Sequence, residues 1–138
     1  MTIIRAAAAL IALSLAGTAH AAQPIAGRWL TEDGSAIVQV GPCGGATCGR
    51  IATVVKAKPN APTTDVNNPN AALRNRPIVG MPILSDFKDA GNDWRGRIYD
   101  PRNGKSYKSI VSRGEDGTLR VKGCISFLCQ TQVWRPAR

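Results

Sequence analysis

Residues able to do chemistry are scarce in this chain, and their types narrow what that chemistry can be. Nine of the 138 residues are carboxylates and one, His20, is a histidine. Glu32 and Glu115 sit in turn-like stretches, the latter within GEDG. Asp33, Asp86, Asp89, Asp93, Asp100 and Asp116 also lie near turns, where an Asp side chain accepts hydrogen bonds from the backbone just ahead of it. The segment Asp65-Val66-Asn67-Asn68-Pro69-Asn70 gathers side-chain oxygens but lacks the spacing and the bidentate Glu of a calcium loop, so it reads as an ordered polar loop. There is no glycine pattern for cradling phosphates or a dinucleotide.

The histidine belongs to a segment that is not expected to remain. Arg5, the apolar run 6–16 and the small-x-small triplet Ala19-His20-Ala21 have the order of a secretory signal peptide. The run is too short to span a bilayer, so no membrane span is expected. Cleavage between Ala21 and Ala22 predicts a leader over 1–21, a single domain over 22–138, and a periplasmic or secreted location. A mature chain without histidine excludes Ser-His-Asp and Cys-His nucleophiles and any His-ligated metal. The expectation is a non-enzymatic protein with no cofactor.

Four cysteines in an exported chain read as disulfides. Cys43 and Cys48, like Cys124 and Cys129, are separated by four residues that look like a hairpin tip, GGAT and ISFL. The local pairings Cys43–Cys48 and Cys124–Cys129 follow. The spacing is not that of a redox C-x-x-C motif.

The elements that position these residues are strands. Apolar alternation and β-branched residues mark 25–31, 36–41, 49–57, 78–87, 94–99, 105–112, 118–124 and 129–135. Pro82 makes the fourth irregular. One long connection, 58–77, is rich in Pro, Asn and Thr, with a short helical turn expected at 70–74 after Pro69. Eight short antiparallel strands predict an all-β up-and-down barrel, with a β-sandwich as the alternative.

The clearest turn is Asp100-Pro101-Arg102-Asn103-Gly104-Lys105, in which Asn-Gly supplies the left-handed positions. Setting Asp100 against Lys105 pairs Ile98 with Tyr107, Gly96 with Ser109 and Trp94 with Val111 on the inner face. Arg97 then stands opposite Lys108 outside. Pairing Ser112 with Thr118 extends this to a transverse row Arg97–Lys108–Lys122 flanked by Arg95 and Arg120, a candidate anion-binding face. Like charges directly opposed on a sheet destabilise it, which an anionic partner would offset. Inside, Tyr107, Ser109, Gln130 and Gln132 are the candidate ligand-facing groups. Trp29 on the first strand and Arg135 after the last-strand Trp134 resemble the barrel-closing cation–π arrangement of lipocalin-like proteins.

Leader removal takes Arg5 from the 18 Lys and Arg, leaving 17 against nine carboxylates, a net charge of +8. These cations are spread along the chain, so no specific nucleic-acid recognition is expected. Attraction to anionic envelope components is.

WLTEDG at 29–34, PCGGATCGRI at 42–51, NNPNAALRNRPIVGMPIL at 67–84, GRIYDPRNGKSY at 96–107 and LRVKGC with QTQVW over 119–134 follow in order. Together they resemble the bacterial family catalogued as domain of unknown function 2147, over essentially all of the mature chain. That resemblance implies an exported single domain with a small lipocalin-like barrel and no established activity. Two functions remain in view: a periplasmic module binding a small amphipathic or anionic ligand, and an envelope-associated interaction protein using its cationic face.

Overall fold

Side chains that alternate between apolar and polar can bury one face only if the sheet curls over it, and here the sheet curls until its edges meet. The structure is a computed structural model that describes residues 12, 14, 16–18 and 20–138. Arg5 and most of the apolar run of the expected leader lie outside the described residues. The strands are β1 (Gly27–Leu30), β2 (Ala36–Cys43), β3 (Ala46–Val54), β4 (Pro82–Asp89), β5 (Trp94–Asp100), β6 (Lys105–Arg113), β7 (Leu119–Ile125) and β8 (Leu128–Pro136). Each pairs antiparallel with the next, and β1 pairs with β8, giving a closed barrel. Closure removes the sheet edges that a sandwich would leave open.

Local chemistry explains the departures from regularity. Pro82 stands first in β4, where no ladder donor is lost. Ahead of it, Gly80 and Met81 still exchange backbone hydrogen bonds with Ile51, at 2.7 and 3.0 Å. Asp86 has a φ of 58°, and the β4–β5 register shifts between Ser85 and Lys88, a bulge in the fourth strand. The helical turn in the long connection is a 3-10 turn at Ala71–Leu73, with Asn70 Oδ1 accepting from the Ala72 N–H at 3.1 Å.

β5 and β6 pair as the Asn-Gly turn predicts, from Asp100–Lys105 to Trp94–Val111. The β6–β7 register does not follow the expectation. Arg113 pairs with Leu119, Val111 with Val121, and Ile110 with Lys122. Gly114 donates to Thr118 O at 2.9 Å, so the turn takes in residues 114–118 rather than stopping at Ser112 and Thr118. The slip is two residues, which keeps every side chain on its expected face but changes its partner. Lys108 therefore faces Cys124, not Lys122.

The interior is filled. Trp29, Val38, Val40, Ile51, Leu84, Phe87, Val111, Leu119, Val121 and Trp134 are buried in one cluster. Even the inward glycines have their space occupied. A Cβ on Gly49 would lie 3.0 Å from Leu84, on Gly96 2.7 Å from Phe87, and on Gly123 3.6 Å from Ile98. Small residues facing large ones fill a narrow barrel to interior density.

Residues 22–25 close one end: Ile25 is buried and its carbonyl accepts from Trp29 Nε1 at 2.9 Å. The opposite end carries the β1–β2, β5–β6 and β7–β8 turns and the long connection between β3 and β4.

Candidate functional site

The long connection is tied to the β5–β6 hairpin. Asn67 Nδ2 donates to the carbonyls of Pro101 and Arg102 at 3.1 and 3.2 Å. Gly104, with φ 71°, lies so close beneath the Asn67 carbonyl that a Cβ there would overlap it. Here a glycine is required both for backbone conformation and for close approach.

Beneath that contact sits Asp65, fully buried. Its Oδ1 accepts from the Tyr99 hydroxyl at 2.6 Å; its Oδ2 accepts from Asn68 Nδ2 at 2.8 Å and a guanidinium nitrogen of Arg76 at 2.7 Å. The Arg76 guanidinium also lies over the Tyr99 ring, 5.9 Å from its centre. Arg76 Nε is buried without a hydrogen-bond partner among the described residues.

These contacts fix the protonation states. Burial pushes the Asp65 carboxyl up, but the hydrogen bonds from Tyr99, Asn68 and Arg76, with the Arg76 charge, outweigh it and hold Asp65 below its ordinary value. Burial, the hydrogen bond to Asp65 and the Asp65 charge push the Tyr99 phenol up to about 12. A committed carboxylate and a phenol that keeps its proton do not make an acid–base pair. They make a lock that holds the connection on the barrel.

Several other carboxylates are occupied in turns. Asp33 accepts from the Ser35 N–H and hydroxyl and from Thr31; Asp116 accepts from the Thr118 N–H and hydroxyl; Asp100 pairs with Arg102. Glu32 reaches across to the Val133 N–H at 2.6 Å.

The candidate interior groups are only partly brought together. Ser109 is buried and its hydroxyl donates to Lys122 O at 2.6 Å. The half-buried Tyr107 accepts from Asn103 Nδ2, and the half-buried Gln132 accepts from Trp134 Nε1 at 2.9 Å. Gln130 is exposed. The two interior glutamines are thus a satisfied side chain and a surface one. Concavities of about 320 Å³, beside Gln23 and Glu115, and about 160 Å³, beside Pro42 and Arg50, lie outside the barrel.

The outer face of β4–β7 carries the cations, in a different pattern from the expected row. Arg97 stands opposite Lys108, both exposed, and Lys88 opposite Arg95. Lys122 lies between Ile110 and Thr131, and Arg120 between Ser112 and Val133. Arg95 pairs with Asp93 at 3.0 Å. Among the described residues, Arg97, Lys108, Arg120 and Lys122 have no carboxylate within 4 Å.

Lys108 also leads to a feature the sequence reading passed over. Its partner Cys124 is joined to Cys129 across the β7–β8 tip, as Cys43 is to Cys48 across β2–β3. Beyond the second bridge Ile125, Phe127 and Leu128 are 67, 87 and 68 % exposed. Ser126 between them has a φ of 56°, a left-handed conformation unusual outside glycine. The signal was available: ISFL is an apolar tip with no turn-forming Asn or Gly.

Arg113, not Arg135, covers the closing tryptophan, with its guanidinium 5.4 Å from the Trp29 ring centre. Arg135 follows the inward Trp134 and so points outward, exposed, opposite Leu30. The alternation of β8 excludes it from the interior.

Eight antiparallel strands in an up-and-down barrel, closed at one end by a buried first-strand tryptophan, define a lipocalin-like β-barrel. A solved Helicobacter pylori protein described as belonging to the lipocalin family has the same fold, with a TM-score of 0.72, 22% identity, and coverage of 83% of this chain and 84% of that one. Residues 27–135 match the family described as "Uncharacterized protein conserved in bacteria (DUF2147)", and the chain belongs to it. A comparison with curated protein sequences returned no match.

Proposed function

We propose that this barrel is an exported, non-catalytic binding module that meets an anionic amphiphile on its outside, through the cationic face of β4–β7 and the apolar tip of β7–β8. The observation that carries this reading is the tip. Ile125, Phe127 and Leu128 are exposed together at the end of a disulfide-bridged hairpin. The ladder places Lys108, with Arg97 behind it, directly beside that bridge. Contiguous exposed apolar groups mark interaction sites, and cations beside them favour a headgroup–acyl boundary.

The magnitudes suit weak, reversible association. Each Lys or Arg near an anionic surface contributes about 1 kcal/mol, and burying one large apolar side chain about 2 kcal/mol, before the costs of association. The test is co-sedimentation with vesicles of phosphatidylglycerol and phosphatidylcholine against phosphatidylcholine alone. Binding to the anionic vesicles, lost in Phe127→Ser and in Arg97→Glu with Lys108→Glu, supports the proposal. Equal binding by all three proteins overturns it.

A second reading rests on the likeness to a protein described as a lipocalin: a small ligand held among Tyr107, Ser109, Gln130 and Gln132. The filled interior confines such a ligand to a shallow position near the exposed Gln130. Native mass spectrometry of protein purified from its own envelope tests this, since a ligand retained by Phe127→Ser but lost in Gln130→Ala would favour the interior.

A further inference from the structure

The structure assigns Asp89 a role that none of the turn chemistry requires: its carboxylate is the seat for the α-ammonium group of Ala22. This rests on the expected leader cleavage and is independent of any ligand. Every described residue from 12 to 21 is exposed, whereas Ala22 is 7 % exposed and Ile25 is 1 % exposed. From Ala22 onward each residue makes a specific contact with the barrel. Ala22 N lies 3.1 and 3.2 Å from the two Asp89 oxygens. Gln23 O accepts from Trp94 Nε1, Pro24 O from Arg113, and Ile25 O from Trp29 Nε1. The His20 carbonyl still passes near Gly91, but burial and hydrogen bonding to the barrel begin at the bond where the small-x-small triplet places cleavage.

The geometry at Ala22 suits a freed terminus better than a peptide. A peptide nitrogen has one hydrogen to divide between two oxygens almost equally near. An ammonium has three, and a charge-assisted contact is shorter and stronger. Asp89 is already oriented by the Gly91 N–H, which donates to Oδ1 at 2.8 Å. Among the described residues it has no Lys or Arg within 4 Å, so its carboxylate lacks a cation until the terminus supplies one. The step is a hydrolysis by a leader-type endopeptidase. Water adds across the Ala21–Ala22 amide, leaving a carboxylate on Ala21 and an amine on Ala22 that takes up a proton. The new ion pair fastens the segment that carries Ile25 against Trp29, closing that end of the barrel.

The chain 22–138 is prepared with a free amino terminus and, separately, with that terminus acetylated, in the wild-type and Asp89→Asn backgrounds. The free-amine wild type is expected to melt about 3 °C above its acetylated form, and Asp89→Asn to remove the difference. Edman sequencing of the exported full-length protein is expected to begin at Ala22. Equal melting of the free and acetylated wild-type forms overturns the assignment, without need of the substituted protein, and so does an exported chain that begins at another residue.

Discussion

Tyr99 and Asp65, separated by 34 positions, meet at 2.6 Å, so a strand residue that stands among arginines on the outer face anchors a buried carboxylate from the long connection. Tyr99→Phe keeps the ring under Arg76 and removes only the donor. The Asp65 carboxylate then has two side-chain donors instead of three, and stability is expected to fall by about 1–3 kcal/mol. Urea unfolding checks this through a lower midpoint at unchanged slope, because the surface exposed on unfolding is the same.

The same pair gives stability two pH limits of opposite sign. Asp65 is held below its ordinary value, so its contribution is complete above the unfolded carboxyl's value of about 4 and is lost as pH falls through the folded value. Tyr99 is pushed up to about 12, so its contribution is complete below the unfolded phenol's value and is lost as pH rises toward about 12. Urea midpoints between pH 3 and 7 are expected to fall less steeply for Asp65→Asn than for the wild type. In a Tyr107→Phe background, absorbance of the Tyr99 phenolate is expected to emerge near pH 12.

Closure at Trp29 separates two arginines that the sequence makes look alike. Arg113 lies over the indole and donates to Pro24 O at 3.3 Å, while Arg135 is exposed outside. Arg113→Ala is expected to cost about 0.5–1 kcal/mol of stability, the range of an exposed cation–π contact. Arg135→Ala is expected to leave the melting midpoint unchanged in the same calorimetric scan.

What the sequence disclosed follows from what each signal encodes. Asn103-Gly104 specifies a turn and so fixed the β5–β6 register to the residue. The Arg113-to-Leu119 turn has a comparable pair in Asp116-Gly117, with Gly117 at φ 79°. That pair sits inside a longer loop closed by Gly114 and Thr118, so it does not say which strand residues face each other, and alternation alone defines a register only modulo two. Alternation therefore gives Val111 and Lys122 their correct faces but not their partners, Val121 and Ile110. Arg135 departs from expectation for a related reason: neighbouring a core tryptophan in sequence means facing the opposite way on a strand. Asp65 left no periodic signal, because an irregular loop encodes its contacts through tertiary geometry. Its only sign was a single carboxylate in an Asn- and Pro-rich stretch followed by Arg74 and Arg76.

Whether the barrel has room inside can be decided at Gly96. This residue faces inward, paired with Ser109 on β6 and opposite the β4 bulge between the Ser85–Arg97 and Lys88–Arg95 pairs, and Phe87 covers it. An added Cβ would lie 2.5 Å from Ser85 O and 2.7 Å from Phe87 Cδ2, one a backbone atom and the other part of a buried ring. Neither can move away without disturbing the bulge of β4 or the core. Gly96→Ala is therefore expected to cost about 1–3 kcal/mol through overpacking. The opposite change, Phe87→Ala, is expected to cost about 3–5 kcal/mol by opening a cavity within the buried cluster. If the interior were a ligand chamber, the alanine at 96 would be absorbed at little cost and Phe87→Ala would change ligand retention before stability. Denaturant midpoints for the two variants, measured with and without detergent-extracted envelope lipid, distinguish these outcomes. Loss of stability in both, indifferent to lipid, is the result a filled barrel requires.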